Sequence, residues 1–151
     1  MAKALHRPDD DLYERDFHAW LLEQAAHARA GRTDALDPEN IAEELEGLAR
    51  SDRREIEYRM DALVLHRLKL ARIADQQPRR GWINTVREQR RRIDRIVRDS
   101  PSLRSYPGQV LNDAYAAAVE SLQGEPGLPP DALPATCPFG IEQVLDRRFI
   151  P

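Results

Sequence analysis

One cysteine, Cys137, stands in the whole chain of 151 residues. An intrachain disulfide is therefore excluded, and a thiolate zinc site would have to find other kinds of ligand. No apolar run approaches the ~20 residues of a membrane span. The opening MAKALHRPDDD lacks the apolar segment of a secretory leader. These absences predict a soluble, cytoplasmic protein in reducing surroundings with no membrane partner. A glycine-rich phosphate loop is missing, as is a serine flanked by glycines. Dimetal bundles repeat a glutamate with histidine three residues on. Here the residues three before His6, His18, His27 and His66 are Lys3, Arg15, Gln24 and Leu63. Glu23 and His27, four apart, read as a solvated pair. Cys137 precedes a proline in a loop and reads as an incidental thiol. No metal, cofactor or catalytic residue is predicted.

What the chain does have is charge, and that charge is sorted. From Asp9 to Asp61 there are 16 acidic and 7 basic side chains; from Ala62 to Arg98, 11 basic and 3 acidic; from Asp99 to Pro151, 7 acidic and 3 basic. The formal net charge of −3 hides this acid–base–acid order. Block patterning of this kind bears on packing and partners more than the total does.

Hydrophobic periodicity predicts an all-α bundle of four main helices plus a short C-terminal helix, one of them unusually long. Residues 1–8 read as a mobile N-terminal segment and 9–151 as a single all-α domain. The first helix begins near Asp9 to Asp11 and carries Leu12, Tyr13, Phe17, Trp20, Leu21, Gln24, Ala25 and Ala28 as a stripe; Gly31 stops it. Asp37-Pro38 opens the second, which runs to about Ala74 with Ile41, Leu45, Leu48, Ile56, Leu63, Leu70 and Ile73 on one face. From Met60 to Leu70 it is apolar nearly all round, which predicts a central position. A third helix spans about Trp82 to Asp99, with a core face of Trp82, Ile83, Val86, Ile93, Ile96 and Val97. Ser100-Pro101 opens a short turn through Leu103, and a fourth helix runs from near Pro107 to Leu122. Residues 124–138 read as extended loop, and Ile141 to Asp146 as the last helix.

Several pieces, in order and spacing, resemble a bacterial family, domain of unknown function twenty-nine. They are Leu12-Tyr13-Glu14-Arg15-Asp16-Phe17 with Trp20; Asn40 to Leu48; Ser51 to Glu55; and His66-Arg67-Leu68-Lys69. Trp82, Gln89-Arg90, Ser100-Pro101-Ser102-Leu103 and Cys137-Pro138-Phe139 follow. The chain departs from the pattern at Leu70, where the family tends to carry an aromatic. The resemblance implies a compact helical protein and no particular activity.

Polar side chains on apolar faces are the candidate site. Asp52, Glu55, Arg59 and His66 lie within about 40° of the centre of the second helix's stripe, and Arg90 lies inside the third helix's apolar arc. Buried charge is costly unless paired. Arg90 is therefore expected to meet Glu55, Asp52 or Glu44. Three readings stay open: an ion-pair network fixing helix register, a proton-handling pocket of His66, Glu55 and Arg90, or groups that reach solvent at a helix edge.

A basic face forms a second candidate. Arg87, Arg91, Arg95 and Arg98 share one outward side of the third helix, led by Arg79 and Arg80. Arginine suits phosphate, but a pI near 5.8 disfavours nucleic acid. The leading expectation is a non-enzymatic interaction module that binds a protein partner or itself. Nucleic-acid binding through the arginine face is the alternative, and a small-molecule site at His66, Glu55 and Arg90 a second one. A partner-binding module should expose an apolar patch beside its charges.

Overall fold

The computed structural model describes residues 8–75, 77–129 and 131–149. Of the segment expected to be mobile, residues 1–7 lie outside these. Helices α1 (Pro8–Arg15), α2 (Phe17–Arg29), α3 (Pro38–Arg72), α4 (Arg79–Asp99), α5 (Tyr106–Ser121) and α6 (Ile141–Leu145) follow in order. Thr33–Ala35 and Pro101–Leu103 form 3-10 turns, and no strand occurs among the described residues. The protein is all-α, with α3 as the long helix. No helix among the described residues is long and apolar enough to cross a membrane.

The expected first helix is divided at Asp16. Its φ of −149° leaves the helical region, and its carboxylate accepts the Ala19 N–H at 3.0 Å. Aspartate thus ends one helix and caps the next. α2 stops where expected. The Arg32 N–H reaches the His27 carbonyl and the Gly31 N–H reaches that of Ala28, a Schellman closure with Gly31 at φ +68°. Asp37 begins α3 as its chemistry predicts: one carboxylate oxygen accepts the Asn40 N–H at 3.3 Å and the other the Asn40 side-chain amide at 2.7 Å. α4 begins at Arg79, a little earlier than the expected Trp82, because Pro78 can sit at a helix start without an N–H to satisfy.

Packing within the chain falls into two compact units, Met1–Ala49 and Arg50–Pro151. In the first, Trp20 is buried and sits edge-on to Tyr13 at 4.8 Å. Buried Gln24 accepts the Asp37 N–H at 2.8 Å, which fixes α2 against the start of α3. The second unit holds the main core. Ile56, Met60, Leu63, Val64, Leu68 and Leu70 of α3 pack with Val86 and Ile93 of α4, Val110, Leu111, Ala114, Tyr115 and Ala118 of α5, and Val144 of α6. The stretch expected to be apolar all round is central here: Met60, Leu63, Val64 and Leu68 are fully buried. Tyr115 donates its hydroxyl to the Pro134 carbonyl, which ties α5 to the extended loop.

Candidate functional site

The six residues expected in a buried polar network do not come together. Glu44 is half-buried in the first unit and accepts the Tyr13 hydroxyl at 2.5 Å. That carboxylate pushes the Tyr13 hydroxyl up to about 12. Asp52 is exposed. Glu55 takes Arg59 of its own helix, through Nε at 2.8 Å and Nη2 at 2.6 Å, while Arg59 Nη1 reaches Gln89 at 3.2 Å. His66 is half-buried, with Nδ1 2.7 Å from the Ala62 carbonyl. Burial is the main cause lowering its pKa and Lys69 adds to it, against that hydrogen bond. Glu55 cannot orient His66. Eleven residues at 1.5 Å each separate them by roughly 16 Å along α3.

Arg90 is the larger correction. It is 3% exposed, as its apolar arc required, yet it meets no carboxylate of α3. Its Nε donates to the Val144 carbonyl at 2.7 Å, and Nη2 donates to those of Gln143 at 3.2 Å and Phe149 at 2.8 Å. Gln143 and Val144 lie in the last turn of α6, where carbonyls lack helical partners and a cation is favoured.

Beside it lies Arg67, which the sequence reading passed over. It is 0% exposed, and its Cζ sits 4.5 Å from the ring centroids of both Phe139 and Phe149. Its Nη1 reaches the same Phe149 carbonyl at 3.4 Å. Burial, then the charge of Arg90, pushes its pKa down to about 10. A signal did exist: Arg67 lies about 40° from Leu63 around the helix, inside the stretch expected to be apolar. Three donors of the pair, Arg67 Nε and Nη2 and Arg90 Nη1, are buried without an acceptor. Among the described residues no carboxylate hydrogen-bonds either guanidinium.

Five residues of the expected basic face, Arg80, Arg87, Arg91, Arg95 and Arg98, are exposed, and Arg79 is half-buried. Glu88 takes Arg91 at 2.5 Å and Arg92 at 2.8 Å; Asp94 takes Arg147 at 2.7 Å and lies 3.9 Å from Arg98. Hydrogen bonds from Arg92 and then Arg91 lower the pKa of Glu88. Arg87, Arg90, Arg91 and Arg147 line a cleft of about 280 Å³.

The first unit carries a different feature. An apolar groove of about 320 Å³ is lined by α2 residues Trp20, Leu21 and Ala25, by Leu36, and by α3 residues Ile41, Leu45 and Leu48. Leu45 and Leu48, expected on a core face, are 61% and 67% exposed. Two donors of its lining residues, Trp20 Nε1 and Gln24 Nε2, are buried without an acceptor. No group of three or more histidine, cysteine, aspartate or glutamate side chains among the described residues could hold a metal.

The family model described as domain of unknown function DUF29 matches residues 12–150. The chain belongs to the DUF29 family. No curated protein and no solved structure matches it. The matched span holds both the groove and the arginine pair, so both are features of how this family member folds. Arg67, Arg90 and Phe139, far apart in sequence, meet around the C-terminal segment: Arg67 stacks on Phe139, Arg90 grips the carbonyls that follow, and Cys137 Sγ lies 3.4 Å from the Phe139 carbonyl.

Proposed function

We propose that the protein is a non-enzymatic interaction module whose N-terminal groove takes a basic amphipathic helix of another protein. The exposure of Leu45 and Leu48 beside glutamates carries the reading. An apolar stripe left open on a folded unit, rimmed by charge, is the pattern of a helix-in-groove site. Its chemistry selects the occupant. From Leu12 to Ala49 there are nine acidic and three basic side chains. Two copies meeting groove to groove would bring like charges together in an isologous contact. A partner helix with lysine or arginine flanking its leucines gains both terms.

A labelled amphipathic peptide of leucine and lysine tests this by anisotropy. Saturable binding is expected, weakened at least tenfold by Leu45→Glu or Leu48→Glu, and absent for a leucine–glutamate peptide of equal helicity. Binding that survives both substitutions, or that ignores peptide charge, refutes the reading. So does sedimentation showing a self-associated chain that Leu48→Glu dissociates, since the occupant would then be a second copy. Nucleic-acid binding through α4 is the weaker alternative, because a pI near 5.8 disfavours a polyanionic partner.

A further inference from the structure

We propose that the cleft lined by Arg87, Arg90, Arg91 and Arg147 binds the phosphate group of a small phosphorylated ligand. The site lies in the second unit and is independent of the groove. Its residues come from one stretch of α4 and from the segment just after α6.

Charge is the first argument. Four guanidiniums line the cleft, and the acids that reach this set are Glu88, on Arg91, and Asp94, on Arg147. Asp146 lies close enough to Arg90 to interact electrostatically, but its carboxylate accepts Arg148 through the side chain at 3.2 Å and the main chain at 2.9 Å. Among the described residues no acid lies within ion-pair distance of Arg87. An excess of two positive charges remains among the lining residues. A phosphate monoester carries about −1.5 to −2 at pH 7, which matches the excess at the cleft. A single carboxylate would leave half of it.

The donors are the second argument. Arg90 is 3% exposed and its Nη1 is a buried donor with no acceptor. That nitrogen is closed to water and therefore to a phosphate oxygen, so Arg90 acts on the cleft through its charge. The other two nitrogens are engaged by the carbonyls of residues 143, 144 and 149, which hold the guanidinium in place. Arg91 and Arg147 reach Glu88 and Asp94 in exposed pairs. The fork of a fixed guanidinium suits phosphate better than a mobile lysine would. Size sets the class of ligand. About 280 Å³ is near the lower end of small-molecule sites, roughly 300–1,000 Å³.

Pyrophosphate is the probe, titrated into the full chain by calorimetry and by thermal melting. Sodium chloride at matched ionic strength is the control. Saturable binding and a melting temperature that climbs with pyrophosphate concentration are expected. Arg87→Gln and Arg147→Gln change exposed side chains, so the fold should persist. Each should weaken binding about tenfold, and the double variant should lose it while melting normally without ligand. Arg90→Gln is avoided as the primary test because it also frees the C-terminal segment. No response beyond the chloride control overturns the proposal, as does an affinity unchanged in the double variant. A single-stranded oligonucleotide tests the other source of phosphate. If it binds where pyrophosphate does not, the small-ligand assignment fails and the arginines serve a nucleic-acid backbone.

Discussion

Leu48 and Leu63 belong to one stripe of α3. Leu63 is completely buried, while Leu48 is 67% exposed. The same helix therefore behaves in two ways. In the second unit its apolar face meets side chains of α4, α5 and α6 and closes into a core. In the first, α2 and Leu36 share a groove with the stripe, and the cover stops short of Leu45 and Leu48. Periodicity identifies a face that gains from burial; it does not say whether the chain itself supplies the cover. Charge follows the same division. The first unit lines its open groove with Glu44 in a segment rich in acids, and the second buries two arginines against carbonyls and rings.

The comparison can be broken most directly at the two leucines. Leu63→Ala should cost about 2–5 kcal/mol in urea unfolding, and Leu48→Ala within ~0.5 kcal/mol of nothing. Equal losses would mean that Leu48 is covered and the groove closed.

A second test separates the two buried arginines. Arg90→Met removes hydrogen bonds to three carbonyls and should cost about 3 kcal/mol, with amides of residues 141–149 losing protection in hydrogen exchange. Arg67→Met keeps an apolar body between the phenylalanines and removes an uncompensated charge, so its cost should stay below ~1.5 kcal/mol. Reversal of that order would assign the grip on the C-terminal segment to Arg67.

Acid provides a third. Burial lowers the pKa of His66 in the folded chain beneath its ordinary 6.5. The unfolded chain then binds more protons, so stability is lost as pH falls through 6.5 toward the lower folded value. His66→Gln should flatten that limb of the stability–pH curve and leave stability unchanged above pH 7.5. An identical curve would place the acid sensitivity elsewhere.

The smallest effect belongs to Glu55. Its pair with Arg59 is partly exposed and lies within one helix, so Glu55→Gln should cost only ~0.3–0.5 kcal/mol. A larger loss, checked by the same unfolding assay, would restore Glu55 to the network expected from the sequence.

Much of the fold was legible. Asp37-Pro38, Gly31 and Ser100-Pro101 mark helix ends through local backbone chemistry, and local chemistry is what a sequence displays. The break at Asp16 was hidden because the apolar stripe continues in phase across it. The sites were less legible, for a physical reason. A sequence shows which residues carry charge, so Arg90 was matched with acids. Its partners are the terminal carbonyls of α6, and every residue owns such an oxygen. Only tertiary structure reveals which ones lack a helical donor. Arg67 was missed because an aliphatic neighbourhood was read as aliphatic throughout, although stacking between two rings gives a guanidinium a place there.

The hold of Arg90 on residues 143, 144 and 149 runs through main-chain oxygens alone. Such an anchor is blind to the identity of the letters it clasps. Rewriting Gln143 would leave it intact, whereas clipping the chain a few links earlier would strand a cation in oil. Engineers who shorten this segment should count residues before they consider composition.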